Sequence, residues 1–344
     1  MLRLYKPIEH DIFTLHTLLE KVVCDVWCTA CNDSCDSKLE QAFKDIYHYS
    51  YKSTPKVKKS LKDEVERIYA IFKTLSQLEK DSIKAAWRAN NEIENLCNGT
   101  TPTYLANLPD VIENDIKPLF TWCYETLLEK EKVAGDKMDY YNQLITKNDL
   151  NTCPCCGLID FEPAESKRRE AYDHYLPKAI YPFASVNFKN LVPLCYKCNS
   201  DRKKTKDPIE NDRIAFYPFS TEEHNVEIHL NYTANIDVDT KELNFTNLKI
   251  SLTGQAHRIE TWDWLFDIAI RYEDRIKSFS KQFLKELKKW DKIFNEDNEV
   301  WTYEQTINRL ISNFEFDYYD DKKFLKIAFL KAIKDDTEFM AVYE

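Results

Sequence analysis

The sequence predicts an α+β protein: a mostly helical chain with a small zinc-stapled core at its centre and a short antiparallel β segment followed by helices. Three observations carry this reading. Apolar residues recur at three- and four-residue spacing up to about residue 147 and again from residue 256. Two Cys-x-x-Cys pairs, Cys153 with Cys156 and Cys195 with Cys198, bracket a segment that reads as strand, loop, strand and helix start. From 213 to 253 the chain alternates apolar and polar residues and is rich in β-branched side chains. The expected organisation is a helical region over 1–147, a core over 148–210, a β-rich segment over 211–255 and a helical region over 256–344.

Taken in order, "HDIFTLHTLLEKVVCDVW", "KLEQAFKDIYHYSY", "KDEVERIYAIFKTLSQLEKDSIKAAWRANNEIENLC" and "DIKPLFTWCYETLLEK" read as helices. Turn residues at 53–56, 98–110 and 133–137 separate them. "RIAFYPF", "VEIHLNYTANIDVD" and "ELNFTNLKISLT" predict two to four antiparallel strands. The helical period returns in "RIETWDWLFDIAIRYEDRIKSFSKQFLKELKKWDKIF" and in "KKFLKIAFLKAIKDD".

Composition narrows the function. Of 344 residues 43% are apolar and 13% aromatic, so a folded core is expected. The four glycines stand apart at 99, 135, 157 and 254, which leaves no loop able to cradle a phosphate and excludes Walker-type and Rossmann readings. No apolar run reaches the roughly 18 residues of a membrane span, and no export signal is recognised, so a cytoplasmic setting without membrane contact is expected.

In such a setting eleven cysteines point to metal ligation or packing before disulfides. Each Cys-x-x-Cys turn aims two thiolates at one ion. Two turns complete a closed Cys₄ shell, so a structural zinc on Cys153, Cys156, Cys195 and Cys198 is expected. Cys155 is the surplus thiol. Cys24, Cys28, Cys31 and Cys35 share one face of a continuous helix, but eleven residues rise about 16 Å. Unless the chain breaks near "NDS", they cannot surround one ion, and packing is the expected role.

Between the knuckles, "DHYLPK" (173–178), the "NL" of "KNLVPLC" and "CNSDRKK" (198–204) together resemble the HNH (His-Me finger, ββα-metal) endonucleases. The resemblance covers roughly residues 150–206. It implies a metal-dependent phosphodiester hydrolase in which His174 is the general base, Asp173 and Asn199 hold Mg²⁺ or Mn²⁺, and Asn190 is the central loop residue. Asn199, in the first turn of the helix, would face Asp173. The chemistry agrees: an imidazole suits the base role, and a carboxylate with an amide oxygen leaves room on the ion for water and substrate. A glycine common after the last basic residues is missing, with Lys204 and Thr205 in its place.

The formal charge of −10 is unevenly spread. Residues 166–206 carry ten Lys or Arg against three acidic residues, a positive island in an acidic chain. Nucleic acid, with DNA favoured, is the expected partner, and Lys178, Arg202, Lys203 and Lys204 the expected phosphate contacts. The resemblance further implies an effector of antiphage defence or restriction working beside a separate ATPase or sensor, with the flanks holding that partner or self-associating. The competing class is a zinc-ribbon adaptor that binds nucleic acid without cutting it.

Overall fold

A computed structural model describes the chain except residues 54–57, 223, 238, 240–242, 296–300 and 344. It divides into two compact units, one of Leu4–Leu150 with Phe161–Thr221, the other of Met1–Arg3, Asn151–Asp160 and Glu222–Glu344. Among the described residues the structure is mostly helical with three two-stranded antiparallel sheets, and no helix is long and apolar enough to cross a membrane.

The first unit is built on α1 (Thr14–Lys21), α2 (Leu61–Phe72), α3 (Gln77–Asn91), α4 (Lys117–Glu125) and α5 (Lys137–Asn148). What reads as one long helix from residue 62 is divided because Ser76 closes a capping box with Glu79 and starts a second helix, as Ser60 with Asp63 starts the first. The expected helix over 38–51 is broken as well. Short helical turns at Cys35–Lys38 and Gln41–Lys44 lead into a hairpin of β1 (Ser50–Ser53) and β2 (Lys58–Ser60). The turn expected at 53–56 lies, beyond Ser53, outside the described residues.

α1 passes directly into a π-helical turn, Val22–Trp27, and helix stops after it. The N-terminal cysteines therefore do not share one helix. Cys24, Cys28 and Cys35 are buried while Cys31 is exposed. Burial pushes the thiols of Cys24, Cys28 and Cys35 up, to about 11 for Cys24 and about 12 for the other two.

Two strands from the middle of the chain complete this unit. β3 (Tyr172–His174) pairs antiparallel with β4 (Leu191–Pro193), with Asp173 opposite Val192 and His174 opposite Leu191. The loop between them is anchored in the helices by aromatic side chains. Phe183 lies 5.3 Å from Trp87 of α3 and 6.4 Å from Phe120 of α4, and Phe188 lies 5.1 Å from Tyr140 of α5, ring centre to ring centre. Such contacts hold a loop far better than its own backbone could.

In the second unit, β5 (Glu227–Ile236) and β6 (Leu243–Thr253) pair with Leu230 opposite Ile250 and Tyr232 opposite Leu248. Ile228, Leu230, Leu248 and Ile250 are buried, as alternation requires of a sheet with one covered face. Helices α6 (Ala256–Phe266), α7 (Ile268–Phe294), α8 (Tyr303–Glu315) and α9 (Lys323–Lys334) follow. "RIAFYPF", expected as a strand, is none. Its backbone is held singly: Ala215 N donates to Cys97 O (3.0 Å), and the carbonyls of Phe216 and Pro218 accept from Tyr175 Oη (2.6 Å) and Tyr5 N (2.7 Å). Pro218 could not donate to a ladder in any case.

One buried base makes the first unit sensitive to acid. His16 stacks on Trp87, its Nε2 lies 3.0 Å from Asn91 Oδ1, and burial pushes its pKa down to about 4. The unfolded chain takes up this proton near pH 6.5 and the folded chain only near pH 4. His16 therefore costs no stability at neutral pH, and stability falls as pH drops through that window, by on the order of 3 kcal/mol when complete. Urea denaturation at pH 7.5 and 4.5 should show a smaller acid loss for His16→Gln than for wild type. An equal loss in the two proteins would contradict the assignment.

Candidate metal centre and nucleic-acid site

Each knuckle is closed by its own backbone. Cys156 N and Gly157 N donate to Cys153 O at 3.2 and 2.7 Å, and Cys198 N and Asn199 N donate to Cys195 O at 2.9 and 3.0 Å. The first turn requires glycine. Gly157 has φ +64°, and a Cβ there would meet Phe324 at 2.6 Å and Leu2 at 2.5 Å. Trp262 Nε1 and Tyr272 Oη fix the turn by donating to the carbonyls of Cys155 and Cys156, both at 3.0 Å.

The Sγ atoms of Cys153, Cys156, Cys195 and Cys198 all lie within 4.8 Å of one another, and all four residues are buried. Tetrahedral Zn–S bonds of about 2.3 Å put the sulfurs about 3.8 Å apart, so the donor set and its spacing fit a structural zinc. Among the described residues no other group of three or more His, Cys, Asp or Glu meets this spacing, and Cys155 stands outside it.

β3 brings Asp173 and His174 to a site beside the turn that follows the second knuckle. Successive residues of a strand point to opposite faces, and the two meet different partners. The His174 Nε2 lies 2.9 Å from Ser185 O. A carbonyl only accepts, so Nε2 carries the proton, and in the neutral ring Nδ1 keeps its lone pair. Burial drives this imidazole down to about 3, against the opposing pull of the Ser185 carbonyl, and it is neutral at any physiological pH. Tyr124, from α4, packs against it in a T-shaped contact, ring centres 4.6 Å apart.

Asn190 is wholly buried and ties the loop shut. Its Oδ1 accepts from Leu176 N (2.7 Å), and its Nδ2 donates to Leu176 O (2.9 Å) and Ala184 O (3.2 Å). Residue 184 adjoins the carbonyl that orients His174, so Asn190 acts on the imidazole through the backbone.

Asp173 is 3% exposed, and both its carboxylate oxygens lie near Lys203 Nζ, Oδ1 at 3.2 Å and Oδ2 at 3.0 Å. The Oδ2 contact is an ion pair without hydrogen-bond geometry. Burial pushes the Asp173 carboxyl up, and the charge of Lys203 opposes this. Lys203 also donates to His174 O at 2.9 Å. Asn199 opens the π-helical turn Asn199–Lys203, whose end is closed by Lys204 N donating to Asn199 O at 2.8 Å. In kind, the Asp173 carboxylate and Asn199 amide suit a hard divalent ion, but the carboxylate already has a cation against it.

The expected phosphate contacts separate. Lys203 is corrected from a surface contact to a fully buried partner of Asp173, because the turn directs it inward. Lys178 pairs with Glu125 at 2.7 Å and lies over the Tyr124 ring. Arg202 is half-buried, 3.5 Å from Asp201, and Lys204 is exposed. Sequence reasoning missed Tyr124, Ser185 and the inward role of Lys203. No local signal marks the first two, since each acts through contacts distant in sequence.

No family model matches this chain, and no solved structure does. Protein ea31 of Escherichia phage lambda is 32% identical over 110 residues, 32% of this chain and 33% of that protein. Septu protein PtuB of Bacillus thuringiensis is 35% identical over 78 residues, 22% of this chain and 29% of that protein. The chain thus spans about a third of either relative's length.

The thiol cluster makes a direct forecast. Purified protein should carry about one zinc per chain by elemental analysis. Cys153→Ser and Cys198→Ser should lose the zinc and unfold at lower temperature, because binding a structural metal is folding free energy. Zinc-free wild-type protein of unchanged stability would refute the site.

Proposed function

We propose that this chain is a metal-dependent endonuclease of the HNH type that hydrolyses phosphodiester bonds of nucleic acid, with DNA favoured. One observation carries the reading. A half-buried imidazole, held neutral with Nε2–H on a backbone carbonyl, stands next to a buried aspartate on a two-stranded sheet followed by a helical turn. His174 takes the proton of the attacking water at Nδ1. Ser185 O, already bonded to Nε2–H, stabilises the positive ring that results, and Tyr124 packed against the ring keeps it from turning. Asn190 holds the loop that supplies that carbonyl.

Asp173 and Asn199 are the residues that would hold Mg²⁺ or Mn²⁺. When bound, the ion takes up charge on the scissile phosphate and the leaving oxygen. Exposed Lys167, Arg168, Lys189 and Lys204 contact flanking phosphates and carry no base choice. The partial likeness to Septu protein PtuB supports a role as an antiphage-defence effector beside a separate ATPase or sensor. The rival reading, an adaptor that binds without cutting, draws on the Lys203 ion pair, which leaves Asp173 occupied.

Incubation with plasmid, single-stranded DNA and RNA in Mg²⁺ or Mn²⁺ decides between them. Wild type should cut, and His174→Ala should cut about 10²- to 10⁴-fold more slowly with zinc content and nucleic-acid binding retained. A folded, zinc-loaded His174→Ala that cuts at the wild-type rate removes the assignment. Binding without cleavage by wild type establishes the adaptor.

A further inference from the structure

We infer that Lys203 is a built-in competitor of the divalent ion at Asp173, so that the site exists in two exclusive forms, one closed by an ammonium and one open to a metal. The inference rests on the proposed role of Asp173 as a metal ligand and deepens it. Lys203 has no exposed side-chain surface, and its Nζ lies 3.0 and 3.2 Å from the two oxygens of Asp173 and 2.9 Å from His174 O. An Mg²⁺ or Mn²⁺ ion takes carboxylate oxygens at about 2.0–2.2 Å. On the face of Asp173 that Lys203 covers, such an ion and the ammonium would be crowded together with like charge and little water between them. One carboxylate balances one ammonium; it does not balance an ammonium and a dication. Metal entry therefore requires Lys203 to leave.

The backbone next to Lys203 favours such an exchange. Lys204 has φ +51° and ψ −116°, a conformation that glycine adopts freely and other residues rarely do. A non-glycine residue there stores backbone strain, held in place while the turn presents Lys203 to Asp173. Opening the turn releases both the strain and the side chain. The closed form keeps the buried carboxylate neutralised in the absence of metal, when an unpaired charge would be costly.

Two measurements on zinc-loaded protein freed of loosely bound ions test this, and neither reads cleavage. In wild type, Lys203 should be protected from an amine-acylating reagent without added metal and become labelled at saturating Mn²⁺, as followed by peptide mass spectrometry. Manganese titration should show Lys203→Met binding Mn²⁺ at least about tenfold more tightly than wild type, with a larger rise in melting temperature on Mn²⁺ addition. Asp173→Asn/Lys203→Met should lose both gains. Unchanged protection of Lys203 at saturating Mn²⁺ overturns the inference, and so does Mn²⁺ affinity in Lys203→Met no higher than in wild type. Because cleavage is not read, a chain that fails to cut can still show the exchange, and one that cuts can still fail to show it.

Discussion

A carboxylate removed from water has to be neutralised, and the arrangement around Asp173 follows from that constraint. Lys203 meets it by crossing from the turn after the second knuckle to β3, where it holds the side chain of Asp173 and the carbonyl of His174 together. This one side chain ties the strand that carries the proposed base to the turn that carries Asn199. The remaining supports are arranged around it: Asn190 fixes the loop, Ser185 O fixes the tautomer of His174, and Phe183 and Phe188 moor the loop in the helices. The strands are thus held by hydrogen bonds around Asp173 and by aromatic packing of the loop between them.

The cysteine turns were legible because their information is local. Spacing and a following glycine specify a knuckle, and Gly157 proves to sit where a side chain would collide with Phe324 and Leu2. The strand, loop, strand and turn between the knuckles were legible from short-range pattern as well, as were most helices of the flanks, the segment 38–51 and the divided helix after residue 62 excepted. What escaped depends on tertiary neighbours. Lys203 reads as one of three consecutive cations, and nothing in "DRKK" says that the middle of these faces inward. Tyr124 looks like any aromatic residue of an amphipathic helix until the fold sets it against His174. "RIAFYPF" has strand composition, yet its backbone partners are scattered singly over the first unit, so no ladder forms.

The positive island is smaller at the surface than in the sequence. Lys203 is buried against Asp173, Lys178 is drawn to Glu125, and Lys197 and Arg202 share Asp201. Among the described residues, Lys167, Arg168, Lys189 and Lys204 are exposed and make no ion pair. The same comparison shows why net charge is a poor guide here. An acidic chain can carry a positive patch, but its partners within the fold decide which cations remain available.

On the reading proposed above, Asp173, His174 and Asn199 form one metal-dependent site that Lys203 closes in the absence of metal. A crystal of the zinc-loaded protein soaked in Mn²⁺ and examined by anomalous scattering tests it most directly. A manganese peak is expected in contact with the Asp173 carboxylate and the Asn199 side chain, with Lys203 Nζ displaced from Asp173 and His174 still bonded to Ser185 O. A map at saturating Mn²⁺ with no peak at Asp173 and Lys203 still in place would contradict it.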